Sequence, residues 1–265
     1  MNMYLYELRM NRKSAFIWMA ALAGIAGLFM SMYPTFAEGA EQFKEVLRTM
    51  PEEVLQALGL QIDSMATLLG FYSYLFLYVL LCGAIQAIHL GASIVSKETR
   101  EKTADFLLAK PVTRSKIIGM KALAALTILL ITNVVYFGAA ALIAETVQRE
   151  SFSYSAFVLI NLSLLFTQLI FLAVGFAAAM LLPRLRTVLP MSLGVVFAFF
   201  MLSAVGATTG DSKLRYLTPF QYFDRAYIVQ HKEYELEFVV TGVIVIAVCA
   251  LITVIRYLKR DVHVS

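Results

Sequence analysis

Charge is what this sequence has little of. Only 15% of its 265 residues are Asp, Glu, Lys or Arg, against about 25% in a soluble domain. Hydrophobic residues make up 60%, so the chain lacks the polar surface that water demands. Cysteine is scarce as well. Cys82 and Cys249 both fall in apolar runs, where they read as small buried hydrophobes and not as a disulfide framework. The three histidines, His89, His231 and His263, lie far apart and no H-E-x-x-H occurs, which argues against a zinc site. None of the 14 glycines is followed by lysine. The chain therefore has no Walker A loop to cradle ATP phosphates, and no cofactor or metal is expected in the chain itself.

What is present is apolar length. A bilayer-spanning helix needs roughly 20 apolar residues, and six such runs occur, at about 14–33, 69–95, 122–144, 155–182, 188–207 and 238–257. In lipid every backbone polar group must pair internally, so each run is expected to be a helix. The short alternating segments of a β-barrel are missing. The fold expected is an all-α membrane protein of six transmembrane helices, one domain over 1–265. The first run is longer than a signal-peptide core and is kept as a span.

Basic residues orient the bundle. With both termini cytoplasmic, 15 of the 22 Lys and Arg fall on the inner side, seven of them in Lys97–Lys121. That asymmetry is the positive-inside signal. The net charge of +4 is thus a matter of topology and does not suggest nucleic acid.

The ends and loops carry pattern. Residues 3–13 place Tyr4, Leu5 and Leu8 on one helical face with Glu7 and Arg9 off it. This reads as an amphipathic helix on the inner leaflet or as an ordinary basic flank. The first outer segment, E-Q-F-K-E-V-L-R-T-M-P-E-E-V-L-Q-A-L-G-L, spaces its apolar residues as two short helices, with Pro51 opening the second. The last outer loop, L-R-Y-L-T-P-F-Q-Y-F-D-R-A-Y-I-V, is too aromatic to run free, and its rings are expected at the outer interface.

Polar residues inside the spans are Gln86, His89, Asn133, Asn161 and Gln168. They must face protein or a watered path. They could line a substrate route, but for any one of them a hydrogen bond between helices is the simpler reading. No Asp, Glu, Lys or Arg falls deep in a span as drawn, which speaks against an ion-driven carrier. His89 and Ser93 share a helix face and could pair as base and nucleophile. No orienting acid or oxyanion motif accompanies them.

The densest charge surrounds a short apolar group. In Ser96–Lys121, S-K-E-T-R-E-K-T-A-D-F-L-L-A-K-P-V-T-R-S-K-I-I-G-M-K, Thr103, Phe106, Leu107 and Lys110 share a face. Pro111 disfavours the helical conformation at Lys110. Thr113 or Ser115 can cap the next helix. The pattern draws an amphipathic elbow between spans 2 and 3. It could be gripped by another protein or rest on the membrane.

The stretch Glu98–Arg114 resembles the first cytoplasmic loop of ABC-2 type permeases, the membrane subunits of ATP-binding cassette exporters. In that family an E-x-x-x-G-T-x-x-x-L-L-x-x-P-x-x-R pattern forms a coupling helix. Here it falls on Glu98, Thr103, Leu107, Leu108, Pro111 and Arg114, with Lys102 in place of the glycine. Glu101 and Phe106 lie in the same elbow. Tyr216–Phe223, with Tyr216, Pro219, Phe220, Tyr222 and Phe223, is similar to a family segment of short outer helices before the last span. The resemblance implies a permease without catalysis, working as a dimer with a second copy or a related permease. A separate ATPase subunit, carrying ATP and Mg, would drive it. The setting implied is a bacterial cell membrane, and the cargo an amphipathic peptide, toxin or drug. A membrane hydrolase or a scaffold without transport is the alternative from other classes.

Overall fold

The computed structural model describes residues 3–39, 42, 45–46, 49–51, 54, 67–100, 113–148, 151–182, 187–209 and 212–259. These residues are helical with short connections and contain no strand. Helix α1 spans Met3–Ser31 and α2 Tyr33–Glu38. Then come α3 (Leu68–Arg100), α4 (Arg114–Val147), α5 (Tyr154–Leu181) and α6 (Val188–Thr209). The short α7 (Ser212–Leu217), a 3-10 turn at Pro219–Gln221 and α8 (Arg225–His231) precede α9 (Leu236–Lys259). Among the described residues six helices, α1, α3, α4, α5, α6 and α9, are long and apolar enough to cross a membrane.

Helices α3 and α5 form the centre. About two thirds of their most apolar stretches are buried, 67% and 61%, against 17% for α1, α6 and α9. The outer helices therefore show most of their apolar surface to lipid or to another chain. Lipid tails supply no hydrophobic drive between helices, so close packing must hold them. The α3–α5 seam is backbone against backbone. A Cβ at Gly91 would stand 2.6 Å from the Leu172 carbonyl oxygen, and one at Gly175 would stand 2.5 Å from that of Ile88. Only glycine lets the two helices approach this closely. Helix α1 lies along α4, and α9 along α5.

Residues 3–13 are not separated from the first span. They are the opening turns of α1. Glu7, which sequence spacing sets off the apolar face, is only 1% exposed, while Leu5 is 58% exposed. The packed side of α1 is the one in line with Ala15, Leu22, Ala26 and Met30, and Glu7 belongs to it. Helix α4 likewise begins eight residues before the apolar run, at Arg114, capped by Thr113, whose hydroxyl accepts from the Lys116 amide at 3.4 Å. The expected pair of short helices within 41–60 falls largely outside the described residues.

Candidate functional site

Three groups of polar side chains tie this bundle together, two inside it and one at the end where α1 starts and α9 finishes. The first lies on α3, α4 and α5. Asn133 Nδ2 donates to Gln168 Oε1 at 2.6 Å, Gln168 Nε2 donates to Gln86 Oε1 at 3.2 Å, and Gln86 Nε2 donates to Thr132 Oγ1 at 3.1 Å. Thr132 and Asn133 also return donors to backbone carbonyls one turn back, at Ile128 and Leu129. Each amide thus meets a partner on another helix, as buried polar groups must.

The second group sits in the same three helices, about four turns away along α3, two along α5 and one along α4. Tyr72 donates to Asn161 Oδ1 at 2.7 Å and shares a 2.9 Å contact with the Tyr136 hydroxyl. Asn161 Nδ2 donates to the Phe157 carbonyl at 2.7 Å. Four of the five polar residues singled out in the sequence therefore join helix to helix. His89 is the fifth. It borders a small cleft with Asn11, Ser14, Trp18, Gln86 and Ile128. Tyr72, Tyr136 and Thr132 do not stand out in the sequence, because tyrosine and threonine look apolar or neutral in a hydropathy pattern.

The third group is charged. Glu7 on α1 pairs with Lys121 on α4, Oε1 to Nζ at 3.5 Å, and both side chains are shut from solvent. Lys121 also donates to the Ile94 carbonyl of α3. The Glu7 atom Oε2 is buried without a hydrogen-bond partner among the described residues. Lys97, near the end of α3, places its ammonium 4.8 Å from the centre of the Tyr6 ring. Arg114 donates to the Leu258 carbonyl at 2.9 Å, satisfying a carbonyl that the last turn of α9 leaves open. The start of α1, the end of α3, the start of α4 and the end of α9 thus meet at one end of the bundle. Lys121 directly precedes the run drawn at 122–144, yet it lies within helix α4 and is buried there. A signal was available. Ile117, Lys121, Ala124 and Ile128 follow helical spacing and form one buried face.

The expected elbow falls in the sequence between two of these helix ends. Glu98 lies in the last turns of α3 and Arg114 opens α4. Glu101, Thr103, Phe106, Leu107, Leu108 and Pro111 lie outside the described residues.

At the opposite end, the segment 212–235 folds back onto the bundle. Three of its rings turn inward. Phe220, Tyr222 and Phe223 are buried, and Tyr216 alone of the four is largely exposed. Phe220 packs at 5.1 Å from Phe171 on α5 and 5.9 Å from Phe200 on α6. Phe223 stacks on Phe166 at 5.5 Å. Pro219 opens the 3-10 turn and is buried. Arg215 forks onto Glu235 and lies 3.8 Å over the Phe238 ring. Tyr216 donates to Glu237, and Tyr222 to the Tyr216 carbonyl. Gln221 Nε2 reaches back to the Ser203 carbonyl of α6 at 2.6 Å. Burial raises the Tyr234 hydroxyl above its usual range, and that group donates to the Leu159 carbonyl at 2.6 Å. Burial also lowers the Arg225 guanidinium, against the pull of Asp224.

Six helices among the described residues are long and apolar enough to cross a membrane, and comparison with protein families says to which kind of membrane protein they belong. The model of the ABC-2 family transporter proteins matches residues 1–262. The chain belongs to the ABC-2 transporter family. No curated protein matches it closely enough to name a relative. ABC-2 membership makes this a multi-pass permease subunit and implies an ATP-binding cassette partner in general. The match runs from the first turn of α1 to beyond α9, so every contact described above lies within the ABC-2 region.

Proposed function

We propose that this chain is the permease of an ABC exporter, a single transmembrane domain that forms its pathway as a pair and is driven by a separate ATPase gripping the elbow between Arg100 and Arg114. The carrying observation is the convergence of four helix ends where the elbow begins and ends. Lys97 meets Tyr6, Arg114 meets Leu258, and Lys121 meets both Glu7 and Ile94. A push on the elbow therefore reaches α1, α3, α4 and α9 directly. Both termini lie on the cytoplasmic side in this reading, beside the ATPase that carries ATP and Mg. The membrane is a bacterial plasma membrane. The cargo is amphipathic or hydrophobic, of the peptide or drug type, and leaves the cell. Phe106 and Leu107 anchor the contact, with Thr103 and Leu108 beside them, Pro111 ending the helix, and Glu98, Glu101 and Arg114 at the rim. The partner permease is a second copy or a related chain.

Mild-detergent purification of the tagged chain from its native membrane tests this. A P-loop ATPase should copurify in stoichiometric amount, and the chain stripped of it should hydrolyse no ATP. Hydrolysis by the stripped chain, or capture of no ATPase, would overturn the proposal.

A further inference from the structure

The buried pair of Glu7 and Lys121 has no ordinary structural reason to exist. Removing two charges from water costs several kcal/mol each, and apolar residues of similar volume often serve stability as well or better. The pair is also incompletely satisfied, since Glu7 Oε2 has no hydrogen-bond partner among the described residues. What the pair supplies is position. Lys121 stands seven residues into α4, about 10 Å from the elbow at 1.5 Å per residue. From there its single ammonium holds two other helices, α1 through Glu7 and α3 through the Ile94 carbonyl. Ile94 lies a similar distance before the end of α3 at Arg100. One cation thus binds both roots of the elbow to each other and to the first span.

Two further contacts flank it. Tyr4, about one turn before Glu7, and Thr127, nearly two turns after Lys121, share a 3.1 Å hydroxyl contact between α1 and α4. Lys97 lies over the Tyr6 ring between α3 and α1. The three links bracket the same stretch of α1. They resist sliding and rotation of α1 against the elbow's roots, which an apolar contact between smooth helices would permit.

Resting on the permease reading above, we propose that Glu7 and Lys121 are positioning residues: a buried ion pair that makes the start of α1, the end of α3 and the start of α4 move as one body when the ATPase displaces the elbow. The pair touches neither cargo nor nucleotide. It converts an elbow movement into movement of the first span.

The test uses the full-length chain in complex with its copurified ATPase, with Cys82 and Cys249 replaced by alanine. Spin labels go on exposed positions: Phe16 of α1, Leu123 of α4 and Met201 of α6. In the otherwise unaltered chain, ATP should change the Phe16–Met201 distance and leave the Phe16–Leu123 distance constant. In the double variant Glu7→Met/Lys121→Met, ATPase binding, hydrolysis and thermal midpoint should be kept, because no charge is left unpaired. The Phe16–Met201 shift should fall to that of the nucleotide-free sample. Lys121→Arg, which retains the cation, should retain the shift. A double variant that shifts like the unaltered chain makes the pair merely structural and ends the proposal. Should the double variant fail to accumulate, the unaltered chain decides alone, because a Phe16–Leu123 distance that changes with ATP shows that the joint is not rigid. If the unaltered chain captures no ATPase, the permease reading falls and takes this inference with it. If it captures one and only the joint results fail, the permease reading stands.

Discussion

Gly175 of α5 lies directly against the backbone of Ile88 on α3, so that a side-chain carbon at 175 would stand 2.5 Å from the Ile88 carbonyl oxygen and 3.0 Å from its Cα. Both neighbours are backbone and cannot swing aside. Gly175→Ala should therefore push the two central helices apart and destabilise the chain by about 1–3 kcal/mol, the usual range for overpacking. Gly24→Ala, where nothing lies within 4 Å, should be neutral or slightly stabilising. Denaturation midpoints in mixed detergent–SDS micelles check both. Equal effects at the two positions would show that the seam is looser than its geometry.

Gln168 is the middle member of the chain from Asn133 to Gln86. It accepts from one and donates to the other. Gln168→Leu removes both links and leaves the Gln86 oxygen without that donor. The expected loss is about 1 kcal/mol, since interhelical hydrogen bonds in membranes are individually modest. Asn133→Leu should cost a similar amount, and the double variant less than the sum, because the two share one bond. ATP-driven transport by the variants should persist if these amides only join helices. A change in cargo preference at unchanged stability would place Gln168 on the path.

Much of this architecture was legible in the sequence. The six apolar runs became six helices, and the runs at 69–95, 155–182 and 188–207 lie within one or two residues of helices α3, α5 and α6 over most of their boundaries. Thr113 caps α4 where the residue types place a cap. What the sequence hid were relations across the bundle. Lys121 looked like the last cation of a basic loop, because hydropathy averages a single lysine into its flank. Its burial depends on Glu7, more than a hundred residues away, and no local pattern links the two. Tyr72, Tyr136 and Asn161 sit on three different helices and converge only in the folded bundle. The inward turn of Phe220 and Phe223 was hidden for a similar reason. An aromatic loop can lie on an interface or fold into a bundle, and the docking sites at Phe166, Phe171 and Phe200 decide which.

Topology can be read by labelling. Starting from a variant without Cys82 and Cys249, single cysteines at Ser265, Asp105 and Glu41 should divide by side. The cysteine at Glu41 should react with an impermeant thiol reagent in intact cells, and the other two should react only after the membrane is opened. The expectation rests on the excess of Lys and Arg in the segments assigned to the cytoplasm. Labelling of the Asp105 position from outside would invert the bundle and remove the elbow from reach of any cytoplasmic ATPase.

The elbow itself gives the sharpest energetic contrast. Interface energy is carried by a few buried apolar or aromatic anchors, while exposed charges at the rim contribute little. Phe106 and Leu107 are the large apolar residues on the elbow's shared face, and Glu101 is one of its charges. Phe106→Ala or Leu107→Ala should weaken ATPase docking by about 1–3 kcal/mol, roughly tenfold to a hundredfold in affinity. Glu101→Ala should shift it far less. The anchor variants should still insert and pair, because Phe106 and Leu107 lie outside the apolar runs of the sequence. Hydrolysis by the ATPase should continue while transport falls, since the force has lost its point of attachment. Titration of purified ATPase against permease in nanodiscs measures the first effect, and transport in proteoliposomes the second. A Phe106→Ala/Leu107→Ala chain that binds its ATPase and transports at the unaltered level would make the elbow a helix resting on the membrane surface, and the drive would have to enter the bundle elsewhere.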